Sequence, residues 1–445
     1  MKAPKPLTIV IKLGTSSIVD ENTHKPLLST LSLIVQTAVQ LREDGHKVII
    51  VSSGAIGVGL QRMDIDKRPK HLRALQALAA IGQCKLISLW DFLFAQSKQP
   101  IAQILLTRGD IADRTQYLNA QNTLSELLEM GVVPIVNEND TIAVSEIKFG
   151  DNDTLSAITA AMVHADYLFL MTDVDCLYTK NPRIHADAQP IEVVEDLNAL
   201  QADVSSAGSN LGTGGMSTKI VAARLATAAG VTTVITRSSN PGNIVSIVRY
   251  LQSKKIGTPR SGTGTPTSSK ANSISGSAEE AMSRSMALLS TEVVLKAPLH
   301  TRFIASSHPI RDRYFWLLHG LAAHGTLYID AGAHKALLNK AGLLPVGVVD
   351  VDGTFGQHEA VRLVVVDRNA QPSGEGATSW EDQGIEVGRA LVNYSSTQIS
   401  CIKGEKSSEI QGLLGYADSE YVALRENISF FTRESRPTTP SLDRM

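Results

Sequence analysis

The stretch KVIIVSSGAIGVG, residues 47–59, decides the fold. Residues 47–51 form a continuous apolar run rather than an alternating one, which suits a strand buried on both faces of a parallel sheet. From Val51 the chain passes through two serines into small residues that open a helix. Free backbone N–H groups there, with the Ser52 and Ser53 hydroxyls, can hold a carboxylate or a phosphate. The third glycine of a dinucleotide-binding fingerprint is missing, and a tight strand–helix turn would account for the spacing equally well.

The same strand-then-helix unit recurs on both sides. Apolar runs at 7–12, 101–106, 132–136, 167–171 and 232–236 read as further strands, and helical patterns fall at 28–44, 71–97, 115–130, 153–164 and 217–229. This β-α-β-α order predicts an α/β fold, a parallel sheet sandwiched between helices on both faces.

The chain has 445 residues, 43% hydrophobic and 19% charged, enough to bury a sizeable core in two or three domains. Its 42 Lys and Arg stand against 44 Asp and Glu, a balance of −2, which gives no electrostatic support for nucleic acid or an anionic membrane as the main partner. Cys84, Cys176 and Cys401 lie far apart, so no metal motif or disulfide framework is visible and a reducing, cytoplasmic compartment is expected. No run is read as a transmembrane helix. The N-terminus enters a strand containing Lys12 without a signal-peptide core.

Composition breaks at 257–278, GTPRSGTGTPTSSKANSISGSA, where 16 of 22 residues are Gly, Ser, Thr or Pro. Such a stretch buries too little apolar surface to offset its ordering entropy. Three regions are therefore expected: an α/β unit over 1–252, a disordered insertion over 253–297, and a small β-rich domain over 325–420. The last carries strand patterns at 326–330, 346–352, 360–367 and 386–392, a helix at 331–340, and a second soft insertion at 369–383. Its 7 Lys and Arg against 13 Asp and Glu leave it at −6.

Four segments carry the chemistry, each where a buried strand gives way to a loop, the place where open α/β sheets bind ligands. In VIKLGTS, 10–16, a lysine near the end of a strand precedes a Gly-Thr-Ser turn suited to a phosphate. VSSGAIGVG, 51–59, is the segment already described. VNENDTIAVSEIKFGDND, 136–153, is an acidic, asparagine-rich loop leaving a buried strand, a poor structural element but a suitable site for a small zwitterion. GTGGMSTK, 212–219, joins glycines, a helix start and a lysine into a phosphate cradle, although its lysine follows Ser-Thr instead of preceding it as in a P-loop. The 11 histidines show no ligand spacing, and no metal-binding residue is assigned.

Together these segments resemble the glutamate 5-kinase family, a branch of the amino acid kinases, over about 7–252 and 298–420. The region from Gly325 resembles a PUA domain. The resemblance implies ATP-dependent phosphorylation of the γ-carboxylate of L-glutamate, the first step of proline biosynthesis, with Mg²⁺ bridging phosphate oxygens. It implies that Lys12 and Lys219 meet the transferring phosphates and that Asp153 orients both lysines. Ser53, Asp140 and Asn152 match glutamate-binding positions, Asp140 facing the substrate ammonium. Thr172 and Asp173 match a nucleotide-contacting pair, and Thr213, Gly214, Gly215, Met216, Ser217, Thr218 and Lys219 the glycine loop. Also implied are feedback inhibition by L-proline, sensitive to Asp110 and Glu146, a homo-oligomer, and a separate glutamyl phosphate reductase, since no reductase domain follows.

A competing reading makes the chain an RNA-binding protein through its PUA-like domain, but the −6 balance argues against it. Another keeps the fold and exchanges glutamate for aspartate or another acid, against which the 136–153 segment argues. Because all four segments lie before residue 220, a chain ending near Ser253 is expected to retain kinase activity.

Overall fold

Each apolar run becomes a strand of one sheet. The computed structural model describes residues 5–142, 152–256 and 297–431, apart from 183, 186, 198–199, 201–214, 311, 369–379 and 381–383. Most of the insertion expected at 253–297, the soft stretch at 369–383 apart from Trp380, residues 143–151 with Glu146, and Thr213 and Gly214 therefore lie outside the described residues.

The strands of the larger unit are β1 (Thr8–Leu13), β2 (Lys47–Ser52), β3 (Ile101–Leu106), β4 (Val133–Glu138), β5 (Tyr167–Thr172), β6 (Leu177–Tyr178), β7 (Pro190–Ile191), β8 (Val193–Val194), β9 (Thr232–Arg237) and β10 (Thr301–Phe303). Eight of them form a sheet in the order β3-β4-β2-β1-β5-β9-β10-β8. The six longer strands run parallel, and β10 pairs antiparallel with β9.

Period-two alternation sends β1 side chains to two cores. Ile9, Ile11 and Leu13 pack with α1 (Leu28–Glu43), α2 (Ala55–Arg62), α3 (Leu72–Ala95) and α8 (Asn243–Ile256). Val10 packs on the other face with α5 (Arg114–Glu129), α6 (Asn152–Met162) and α7 (Met216–Ala228). Lys12 shares the parity of Val10, so it belongs to the α6–α7 face. The result is the expected helix–sheet–helix sandwich. A further short helix, α4 (Arg108–Ala112), follows β3.

Among the described residues, α3 alone is long and apolar enough to cross a bilayer, which reading the sequence for apolar runs did not register. Its inner face is buried, with Leu78, Leu86, Trp90 and Phe94 turned inward, while Phe92 is exposed. A Cβ on Gly82 would lie 1.7 Å from the Ala55 carbonyl oxygen, and one on Gly59 2.1 Å from that of Leu78, so α2 and α3 meet backbone to backbone. Farther along, Trp90 and Phe94 are fully buried against the sheet.

The small domain is a sheet ordered β12-β11-β13-β14-β15, from β11 (Gly325–Ile329), β12 (Val348–Gly353), β13 (Ala360–Val365), β14 (Ile385–Leu391) and β15 (Ile428–Phe430). The helix Ala331–Leu338 follows β11. Strand β15 lies beyond the boundary read at 420. Its Ile428 and Phe430 join Val422 and Ala423 in this core, so the domain extends through residue 430.

The boundary at 252 also moves. Strand β10 completes the larger sheet from beyond the insertion, and the Thr301 hydroxyl accepts the Leu177 N–H at 2.7 Å. Phe303, Phe315, Trp316, Leu317 and Leu318 join the α5–α7 core, and the Trp316 indole donates to the Ile111 carbonyl at 2.9 Å. Chain connectivity carried no trace of this, because the packing partners lie across the Ser/Thr-rich stretch. A chain ending at Ser253 is therefore expected to unfold at a much lower temperature than one ending at His324. It loses several buried aromatic and leucine side chains, each worth about 2–5 kcal/mol in a core. Thermal unfolding of the two truncated chains measures this, and equal transitions would refute it.

Candidate active site

The site forms where the carboxyl ends of β1, β2 and β4 meet the starts of α6 and α7. Lys12 stands near the end of β1, which lies between β2 and β5 in register with Val51 and Leu170. Its Nζ lies 2.5 Å from Oδ1 of Asp153, in the first turn of α6. On the other side of that carboxylate, Lys219 Nζ lies 3.4 Å from Oδ2. The lysines are 4% and 7% exposed and the aspartate 0%, so one buried carboxylate is shared by two nearly buried ammonium groups. Thr218 donates its hydroxyl to Oδ2 at 2.7 Å, and the Thr218 hydroxyl oxygen itself accepts the Gly215 N–H at 3.0 Å, fixing the entry of α7.

Burial alone would push the Asp153 carboxyl up. The Lys12 and Lys219 charges, with hydrogen bonds from Lys12 and Thr218, outweigh burial and hold it below the ordinary aspartate value. The carboxylate therefore stays ionised and orients both lysines near neutral pH. The excess positive charge of this triad faces the helix starts, where backbone N–H groups also favour an anion.

One residue earlier, Asn152 opens a second network. Its Nδ2 donates to Ser53 Oγ at 2.8 Å and to Asn137 Oδ1 at 3.0 Å. Asn137 sits inside β4, which runs two residues past the end expected at 136 because the parallel ladder with β3 continues to Glu138. Asn137 Nδ2 in turn donates to Gln83 Oε1 at 2.9 Å, and the Trp90 indole donates to Ser52 Oγ at 3.3 Å. Adjacent residues at one helix start thus serve two groups: Asn152 the polar amide network, Asp153 the lysine pair.

The structure brings together Lys12, Asp153 and Lys219, and separately Ser53 and Asn152. Asp140 lies half-buried two residues past the end of β4. Thr172 ends β5, and its hydroxyl donates to Asp173 at 3.1 Å. Nearby, Arg237 at the end of β9 pairs with Asp175 at 2.8 Å. Gly215, Met216, Ser217 and Thr218 lie at the start of α7. Asp110 has a local role: its carboxylate accepts the Thr107 N–H at 2.7 Å and the Thr107 hydroxyl at 2.8 Å, while Thr107 accepts the Asp110 N–H. This capping box starts α4. Reading the sequence placed Asn137 in the asparagine-rich segment suited to a zwitterion but gave it no role of its own, and it did not single out Gln83 or Trp90. Asparagine inside an otherwise apolar strand was the available signal for the first; Gln83 and Trp90 had none.

Residues 7–237 match the model of the amino acid kinase family, and 325–414 that of the PUA domain. A Schizosaccharomyces pombe protein named "Probable glutamate 5-kinase" is 53% identical over 95% of this chain and 93% of its own length. A "Glutamate 5-kinase" of Rippkaea orientalis is 42% identical over 95% and 98%. Both relatives span both domains of this chain, and the matched regions hold the lysine pair with its shared aspartate. The chain belongs to the amino acid kinase family, among the glutamate 5-kinases that carry a C-terminal PUA domain.

Proposed function

We propose that this enzyme transfers the γ-phosphoryl group of ATP to the γ-carboxylate of L-glutamate, giving L-glutamyl 5-phosphate, the first intermediate on the way to proline. The observation that carries the reading is the Lys12–Asp153–Lys219 triad set one residue from the Asn152 network. Two cations suit a triphosphate, and an amide network suits an amino acid.

A glutamate carboxylate, with an ordinary pKa of about 4.3, is already ionised at pH 7, so its attack needs no general base. One carboxylate oxygen forms a bond to the γ-phosphorus as the bond to the β–γ bridging oxygen breaks, and that electron pair leaves on ADP. The obstacle is bringing two anions together, which positioning and positive charge overcome. Lys12 and Lys219 supply that charge. Ser53, Asn152 and Asp140 hold the amino acid, and Thr172, Asp173 and the 213–219 loop hold the nucleotide. Among the described residues no cluster of three or more His, Cys, Asp or Glu could hold a metal, and Asp153 is committed to the lysines. Mg²⁺ bound with the nucleotide would add positive charge at the phosphates, beside the charge that Lys12 and Lys219 supply.

Hydroxylamine, which traps acyl phosphates as hydroxamates, tests the reading. Glutamate with ATP should give hydroxamate at many times the rate of aspartate or glutarate. Turnover favouring another acid would overturn it.

Proline shares the α-carboxylate and a charged nitrogen, so it should raise the apparent KM for glutamate while leaving kcat unchanged. Asp110→Ala should weaken this inhibition through the loop at the end of β3. A displaced loop that weakens proline binding by about 1 kcal/mol would raise the inhibition constant roughly fivefold. Inhibition curves at subsaturating glutamate measure it; no inhibition by millimolar proline would refute it.

A further inference from the structure

We infer that Gln83, on the far helix α3, is a positioning residue for the amino acid: it orients the asparagine network and thereby reserves one buried carbonyl oxygen for the substrate's ammonium group. The backbone fixes the polarity of the network. The Glu138 N–H, which can only donate, points at the Asn137 side chain at 2.9 Å, so the atom facing it is the carbonyl oxygen Oδ1. The Asn137 amide nitrogen must then face Gln83, and Gln83 must present Oε1 to it, as it does at 2.9 Å.

The next link follows in the same way. Asn137 Oδ1 and Ser53 Oγ both receive the Asn152 amide nitrogen. That leaves Asn152 Oδ1, a buried oxygen with no hydrogen-bond partner among the described residues. A buried acceptor without a donor is costly, and the cost disappears when a ligand donates to it. An ammonium group carries only donors, so it satisfies that oxygen, whereas a carboxylate meets it with like polarity. The orientation of three amides therefore selects the cationic end of an amino acid.

Packing explains why a residue on α3 can do this. Asn137 shares the side-chain parity of Val133 and Ile135, which face the α3 core. The backbone contact at Gly82, the preceding residue, leaves α3 little freedom to slide on α2. Helix α2 begins two residues after Ser53. The Gln83 amide is thus held against the strand end by rigid elements.

The inference rests on the proposed glutamate kinase activity, and the wild-type hydroxylamine assay tests that activity separately. Gln83→Leu removes the acceptor at nearly constant size. It should raise the KM for glutamate about tenfold, the effect expected for one lost hydrogen bond that orients a polar group. The KM for ATP and the kcat at saturating glutamate should stay within about twofold. The preference for glutamate over glutarate, which lacks the ammonium, should shrink by the same factor. Gln83→Glu keeps an acceptor oxygen in place and should restore both values. If Gln83→Leu does not fold, Gln83→Met replaces it in the same assay. An unchanged KM and preference, or a Glu variant as impaired as the Leu variant, would overturn the inference, as would a loss confined to kcat.

Discussion

Lys219→Met is expected to lower kcat by about 10²–10³ while leaving the fold and directly measured glutamate affinity nearly unchanged. Lys219 lies in the first turn of α7, with Nζ 3.4 Å from Asp153 and 3.5 Å from the Gly215 carbonyl. The ammonium is therefore held in place before substrate arrives. As the phosphoryl group moves, negative charge builds on the bridging oxygen, and a preorganised cation gains most at that moment. Losing one such donor costs typically about 2.7–4 kcal/mol of transition-state stabilisation. Methionine keeps the apolar stem, so packing of the helix start should survive. Asp140→Ala should show the opposite pattern, a raised glutamate KM with a smaller change in kcat at saturation. Steady-state kinetics with a direct glutamate-binding measurement separate the two. Normal turnover by Lys219→Met, or a defect confined to glutamate binding, would remove this lysine from the phosphate side of the site.

How much of the fold could be read in advance depended on burial. The runs at 47–51, 101–106 and 167–171 are legible because strands covered on both faces need no polar alternation. Their ends shift by one or two residues where the ladder outlasts the apolar run, as in β4, which carries Asn137 and Glu138 beyond Val136. Strand β10 was not legible. Its three residues gain meaning only from pairing with β9, far earlier in the chain, across a stretch whose composition reads as a boundary. The glycines of α2 read as a turn signal, whereas Gly59 serves helix contact, a role visible only once Leu78 is placed against it.

The site divides in the same way. Lys12 and Lys219 stood out as lysines beside turns suited to a phosphate, and Asp153 was matched only through the family resemblance. Gln83 gave no such signal, since a glutamine in an amphipathic helix reads as a solvent-facing position. Asp110 was expected to influence proline inhibition, and the structure adds a role that spacing did not reveal, since its carboxylate caps α4. Local spacing identifies which groups could act. Only the three-dimensional partners separate a ligand-facing carboxylate from a cap.

Asp153→Asn is expected to cost both activity and stability. The wild-type carboxylate is fully buried between two ammonium groups that are themselves nearly buried. An asparagine of the same shape can accept a hydrogen bond but offers no charge, so two cations remain close together in a poorly hydrated place. Removing one member of a buried ionic cluster costs about 3–5 kcal/mol, because the remaining charge is left uncompensated. Against a usual total of about 5–15 kcal/mol, that is a large share. Urea unfolding at pH 7 should show it as a lower midpoint with an unchanged slope. Part of the loss should return on adding ATP, since an anion binding only the folded state stabilises it and supplies the missing negative charge. The difference between wild type and variant should also depend on pH. The Asp153 pKa is lowered in the folded protein, so its contribution is present above the unfolded value of about 3.9 and is lost as pH falls through the folded value. The two unfolding midpoints should therefore be farthest apart near neutrality and approach each other below about pH 4. Equal midpoints at pH 7, or a gap that widens in acid, would mean that the lysines do not depend on this carboxylate for their charge balance.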